Sequence, residues 1–155
     1  MPATDIIVQE EDFSIGELSE NARSNDGSNG ALVTFTGMVR ELHQQESPLQ
    51  SLFLEHYPGM TEKALGSIAI KAREKWPIGN VVIYHRIGKL NLNDNIVFVG
   101  VTSAHRVAAF EAAQFIMDYL KRDAPFWKKE ITAEGENWVE QKQSDLDAAN
   151  KWNSN

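Results

Sequence analysis

The sequence predicts a single α+β domain of two layers, with helices packed on a mostly antiparallel sheet. Three observations predict it. The apolar residues alternate between a period of two and a helical period along the chain. The elements marked in this way follow the order β-α-β-β-α-β-β-α-β, which fits helices laid on a sheet. The chain has 155 residues, of which 42% are hydrophobic, with Pro and Gly scattered, enough for one core of ordinary size.

Ile6-Ile7-Val8 reads as a short first strand. A helix is expected over 14–25, because Ser14 and Glu17 have the spacing of a capping box. Asn, Asp, Ser and Gly over 25–30 mark a turn. From Ala31 to Arg40, residues Val33, Phe35, Gly37 and Val39 alternate with Leu32, Thr34, Thr36 and Met38, so a strand is expected that Arg40 closes on the Met38 face. Residues 41–48 are polar and expected to form a flexible loop (41–49 at its widest). A strand over 51–56 should return antiparallel to the one before it.

Pro58-Gly59 breaks the chain, and Leu65, Ile68, Ala69, Ala72 and Trp76 then form one helical stripe. Pro77 and Gly79 stop it. Val81 to Tyr84 is a β-branched strand, and 90–95 contains a turn. Residues 96–102 are nearly all apolar, as expected of a central strand covered on both faces. A long helix follows Ser103, its expected N-cap, and ends before Pro125, which disfavours helical geometry at Ala124. Ala112, Phe115, Ile116, Tyr119 and Leu120 supply its core face. A strand over 128–132, a turn at Gly135 and a weaker helical pattern over 144–152 complete a chain whose C-terminal tail is expected to be mobile.

Bulk properties exclude several functions. The net charge of −7 argues against general nucleic-acid binding, which rewards a basic face. No run approaches the roughly 18 apolar residues of a membrane-spanning helix. The N-terminus lacks the basic and then apolar character of a secretory signal, so the cytoplasm is expected. The cysteine count is zero, which removes disulfides, thiolate metal sites and cysteine nucleophiles together.

Against this acidic background Lys121, Arg122, Lys128 and Lys129 gather within nine positions. Two readings stand. Cations are favourable at a helix C-terminus and can simply be solvated there. Alternatively, the intervening Ala124-Pro125-Phe126-Trp127 bends the chain so that Lys121 and Lys128 face one cavity with an aromatic wall. His105-Arg106 sits in the first helical turn, where backbone N–H groups and a guanidinium fork suit an anion, although Arg106 could instead pair with Glu111. Arg40 at its strand end is a third candidate. His43 reads as solvent-facing in the polar loop, and His56 and His85 as hydrogen-bonded structural residues. No metal-ligand spacing, glycine-rich phosphate loop or nucleophile elbow is found.

Several longer motifs occur in order: Val33-Thr34-Phe35-Thr36-Gly37-Met38-Val39-Arg40, Leu54-Glu55-His56-Tyr57-Pro58-Gly59-Met60, His85-Arg86-Ile87-Gly88, Val99-Gly100-Val101-Thr102-Ser103-Ala104-His105-Arg106, and Lys121-Arg122-Asp123-Ala124-Pro125-Phe126-Trp127-Lys128-Lys129-Glu130. Together they resemble the large, catalytic subunit of molybdopterin synthase over almost the whole chain, from about residue 6 to 152. The resemblance implies an α/β-hammerhead fold and a sulfurtransferase without a cofactor or metal. It implies sulfur delivery from a small ubiquitin-like partner bearing a C-terminal glycine thiocarboxylate. The acceptor would be cyclic pyranopterin monophosphate, converted to the dithiolene of molybdopterin. It further implies a homodimer that becomes a heterotetramer with two small subunits.

Residue by residue, the resemblance makes Lys121 and Lys128 catalytic. It assigns Met38, Val39, Arg40, His105, Arg106, Lys129 and Glu130 to substrate binding, and Phe35 and Met117 to the pocket for the partner's tail. Some family members carry Lys where this chain has Met38, so no charged role is expected there. The expected mechanism has Arg40, His105 and Arg106 holding phosphate and pterin. Lys121, assisted by Lys128, would stabilise the thiocarboxylate or supply a proton. The alternative is a non-catalytic anion-binding or regulatory α+β module. A phosphoryl or acyl transferase would call for a metal site or a nucleophile–base pair, and the sequence offers neither.

Overall fold

The computed structural model describes residues 2–41, 48–140 and 143–153. His43 and most of the expected 41–48 loop lie outside the described residues. The elements run β1 (Thr4–Gln9), α1 (Ile15–Ala22), β2 (Ala31–Met38), β3 (Leu49–His56), α2 (Met60–Lys75), β4 (Ile78–Arg86), β5 (Gly88–Asn91), β6 (Asn95–Ser103), α3 (Arg106–Asp123), β7 (Phe126–Thr132), β8 (Gly135–Val139) and α4 (Gln143–Asn150), closed by a 3₁₀ turn at Lys151–Asn153.

The strands form two sheets rather than one. The first has the order β1-β4-β6-β2, and the second the order β5-β3-β7-β8. All pairings are antiparallel except β1 with β4. On the first sheet, Val81, Ile83, Val97, Val99 and Val101 meet Leu65, Ile68 and Ala69 of α2 and Ala112, Phe115 and Ile116 of α3. The opposite face, at Val82 and Phe98, is covered by Phe13, Leu18 and Ala22 around α1. The apolar run over 96–102 is thus central and covered on both faces, as expected, and the first sheet has helices on each side.

The strand expected to pair with its predecessor does not. β2 pairs with β6, and β3 pairs with β5 and β7. The register slips between Gly37 and Met38, so β2 ends at Met38 and not at Arg40. Val39 then donates its N–H to the Asp94 carbonyl at 2.9 Å and accepts from Asn93 N–H at 2.8 Å. This exchange carries the chain into a second core of Val39, Leu49, Leu52, Leu54 and Leu90.

Two helix ends also shift. Ser14 caps α1 as expected, its Oγ accepting Glu17 N–H at 3.2 Å, but the helix stops at Ala22. The N-cap of α3 is His105, while Ser103 remains in β6 and its Oγ accepts His105 N–H. The C-terminal segment packs on α3. Trp152 sets its ring edge-on to Trp76 and Phe115, with centroids 5.4 and 5.6 Å away. Its Nε1–H donates to the buried Asp118 carboxylate at 2.7 Å, and Tyr119 OH donates to Asn153 at 2.8 Å. Among the described residues, no helix is long and apolar enough to cross a membrane.

Asp118 joins Gln114 of the same helix to Trp152 through charge-assisted bonds. Asp118→Ala should therefore cost about 2 kcal/mol of stability, read as a lower urea midpoint. It should also speed amide exchange over 143–153 more than in β6.

Candidate functional site

The site begins at the end of α3. Ala124 caps the helix through its N–H to the Leu120 carbonyl, and Pro125 has no N–H with which to continue it. Phe126 N–H turns back to the Ala124 carbonyl at 2.9 Å. The bend is pinned from α2: buried Thr61 donates its hydroxyl to the Pro125 carbonyl at 2.9 Å and accepts Tyr57 N–H at 3.0 Å. β7 therefore starts immediately beside the last turn of α3.

This bend places Lys121 and Lys128 on one cavity of 630 Å³. Phe126 and Trp127 contribute an aromatic wall, and Leu52 and Leu54 from β3 an apolar one. Glu140 and Asp145, flanking the start of α4, place carboxylates on the remaining side. Such a cavity presents two ammonium groups over an apolar surface, suited to an anionic ligand with carbon substituents. Arg122 also lines it, but its guanidinium pairs with Asp123, donates to Asn150 at 3.2 Å and lies 4.4 Å over the Tyr119 ring.

The other expected site residues divide by strand alternation and by position on α3. Lys128 and Glu130 point to one side of β7, opposite Leu54 and Leu52 respectively. Glu130 is buried beside the cavity rather than on its wall. Lys129 points to the other side, where it pairs with Glu136 at 3.0 Å and lies over the Phe53 and Trp138 rings. It does not share the cavity with Lys128.

Val39 is only 2% exposed and packs in the second core, so its side chain cannot touch a ligand. Its backbone groups are committed to the Asp94 and Asn93 exchange. Met38 is 60% exposed at the end of β2, opposite Asn95, and Arg40 is exposed two residues on. Both lie at the end of the first sheet where Ile96 lines the cavity. Phe35 is exposed on β2, and Met117 packs against the main core from α3; neither lines the cavity.

His105 and Arg106 are exposed at the opposite end of α3. At 1.5 Å per residue, the helix sets His105 about 24 Å from Lys121. Among the described residues of one chain, His105 and Arg106 do not share the cavity of Lys121 and Lys128.

One cavity residue carries no site role in the sequence reading. His85, read as merely structural, lines the cavity at 4% exposure. Its ring stacks on Phe126 with centroids 3.8 Å apart and planes 17° apart. Nδ1 lies 2.8 Å from the Arg86 carbonyl, which can only accept, so Nδ1 carries the proton. Burial first, with nearby Lys121 and His56 adding to it, pushes the His85 pKa down to about 3 against the backbone bond to Arg86. The signal was available: Val81, Ile83 and His85 share one face of a period-two strand whose other members are core. Among the described residues, no group of three His, Cys, Asp or Glu could hold a metal ion.

A family model described as MoaE protein matches residues 8–123. The molybdopterin synthase catalytic subunit of Escherichia coli (strain K12) is 56% identical over 152 residues, covering 98% of this chain and all of that protein. Among solved structures, the molybdopterin biosynthesis MoaE protein from Burkholderia ambifaria superposes with a TM-score of 0.82 at 42% identity, covering 98% of this chain and 99% of that one. Molybdopterin synthase from Staphylococcus aureus superposes with a TM-score of 0.80 at 34% identity, covering 86% and 95%.

The buried neutral His85 makes a pH prediction. Unfolded, it takes up a proton near its ordinary value of 6.5; folded, it resists protonation down to about 3. Stability should therefore be full above about pH 6.5 and fall as the pH drops towards 3. Between pH 7 and pH 5 the native protein should lose about 2 kcal/mol that a His85→Phe protein does not lose, measured as the difference in their urea midpoints.

Proposed function

This chain belongs to the MoaE protein family, and from that premise we propose that it is the catalytic subunit of a molybdopterin synthase. It transfers sulfur from the thiocarboxylated C-terminal glycine of a small ubiquitin-like partner to cyclic pyranopterin monophosphate, forming the dithiolene of molybdopterin. The observation that carries this reading is the convergence of Lys121 and Lys128, from two different elements, on one cavity. Both the partner's tail and the substrate phosphate are anions, and the cavity's two ammonium groups suit them. With no cysteine in the chain, sulfur passes directly from the partner's acyl group to the pterin, without a persulfide on this subunit. The proposed location is the cytoplasm, where a chain without disulfides needs no oxidising compartment.

Lys121, exposed at the helix end, is proposed to stabilise the thiocarboxylate and the oxyanion that develops on its carbon, or to protonate oxygen leaving the pterin. Lys128, half-buried in β7, assists. Arg40 lies at the same end of the fold and is proposed to hold the substrate phosphate. His105 and Arg106 can join this site only from a second copy, because α3 holds them apart within one chain. We therefore read the homodimer as the working unit, in which each cavity receives its anion-binding pair from the neighbouring chain.

Lys121→Ala should lower the rate of molybdopterin formation from pure thiocarboxylated partner about 100-fold, with the fold intact by circular dichroism. Wild-type activity in that variant would end this assignment. Mixing Lys121→Ala chains with Arg106→Ala chains should restore about a quarter of wild-type turnover, because half the random dimers contain one complete site. No recovery on mixing, once subunit exchange is verified by mass spectrometry, would place both residues' function within one chain.

A further inference from the structure

Among the described residues that line the cavity, His85 is the one enclosed titratable group, and the proposed chemistry does not use it. Three contacts define its state. The Arg86 carbonyl fixes the proton on Nδ1, the Phe126 stack fixes the ring plane, and burial keeps the ring neutral. A ring held in this way has one remaining polar function, the lone pair on Nε2. A buried acceptor without a donor is costly, and a phenylalanine would fill the same volume without that cost.

The charged and titratable groups facing the ring come from two neighbouring elements. Lys121, in the last turn of α3, lines the same cavity, and His56 stands at the end of β3 opposite Phe126, the residue stacked on the ring. The Arg86 guanidinium turns away, donating to the Glu10 and Asn95 carbonyls and lying 4.0 Å from Asp12. Of the two, the Lys121 ammonium offers donors alone, whereas the His56 imidazole is both donor and acceptor.

We propose that His85 is a positioning residue for Lys121, its Nε2 accepting a hydrogen bond from the lysine ammonium and fixing that ammonium on the cavity wall. The proposal rests on the reading of Lys121 as the acting lysine. Its physical content is a division of roles: a protonated imidazole would repel the lysine, whereas a neutral one orients it. The Arg86 carbonyl and Phe126 hold the imidazole in the tautomer that can accept. Phe126 belongs to the same bend that aligns Lys128, so one stacking contact ties both lysines to the floor of the first sheet.

The test follows Lys121 directly, by NMR titration of ¹³C-labelled lysine with Lys121→Ala used to assign its signal, alongside turnover with saturating thiocarboxylated partner. Losing an acceptor that favours the charged amine should lower the Lys121 pKa by about one unit in His85→Phe. The same variant should lose about tenfold in kcat with KM unchanged. His85→Gln, whose side-chain carbonyl can replace Nε2, should recover much of both and serves equally if the Phe variant folds poorly. A Lys121 titration identical in wild type and His85→Phe, or a shifted titration with unchanged kcat, overturns the proposal. The titration needs no turnover, so it judges the His85–Lys121 pair even if Lys121→Ala proves fully active and the catalytic reading itself fails.

Discussion

The bend at Ala124-Pro125-Phe126 is the constraint on which the site depends. A helix ending in Lys121 and a strand carrying Lys128 would ordinarily diverge. Here Pro125 forbids another helical turn, and Thr61 catches the Pro125 carbonyl from the first turn of α2. The Thr61 hydroxyl spends its proton on that carbonyl and its lone pair on Tyr57 N–H, so a single buried side chain fixes the end of β3, the start of α2 and the bend together. Phe126 then lies on His85, which anchors the start of β7 to the first sheet.

The chain is acidic overall but cationic at the cavity. The net charge of −7 would repel an anionic ligand at long range, but that repulsion is screened within about 10 Å at ordinary ionic strength. Close to the cavity, the two lysines and the apolar floor dominate. Glu140 and Asp145 oppose them from the C-terminal segment. The segment from α4 onward is tied to α3 by Trp152 and Asn153, so the Asp145 carboxylate is carried by a docked part of the fold. An incoming thiocarboxylate must compete with both carboxylates for the same ammonium groups, which favours a ligand that also buries apolar surface on Leu52 and Leu54.

Much of this was legible in the sequence, for physical reasons that can be named. Period and β-branching located β4 and β6, and the Leu65–Trp76 stripe located α2, because burial on one face leaves a periodic trace. The Pro-Phe-Trp run between two basic pairs pointed to a shared cavity. What the sequence hid was pairing. Nothing local to residues 49–56 says that this strand belongs with β7 and not with β2; that choice is made by the slip at Gly37/Met38 and the backbone exchange of Val39 with Asp94 and Asn93. The face of Lys129 was hidden for a related reason: adjacent residues on a strand face opposite ways, so a motif read as one segment splits between cavity and outer face. The reading of His85 as a hydrogen-bonded structural residue holds through its bond to the Arg86 carbonyl; its place on the cavity wall was hidden, because Lys121, which shares that wall, is 36 positions away in sequence.

The separation of His105-Arg106 from Lys121 has a further consequence. The rise of an α-helix is fixed by its hydrogen bonds, so α3 acts as a ruler of 18 residues that no loop movement can shorten. Its middle is locked by Ala112, Ala113 and Ile116, all buried in the core with the first sheet and α2, which excludes a kink without loss of the core. A monocyclic phosphate on a pterin is much shorter than that span and cannot touch both ends at once. Either the two clusters serve different ligands, or they meet across two copies of the chain. The proposed assignment puts both on one substrate, and with a rigid α3 that requirement is met only by symmetry: a two-fold axis that brings one chain's helix start to the other's helix end makes two equivalent sites from one interface. On that argument the dimer is a condition of the chemistry, imposed by the length of a single helix.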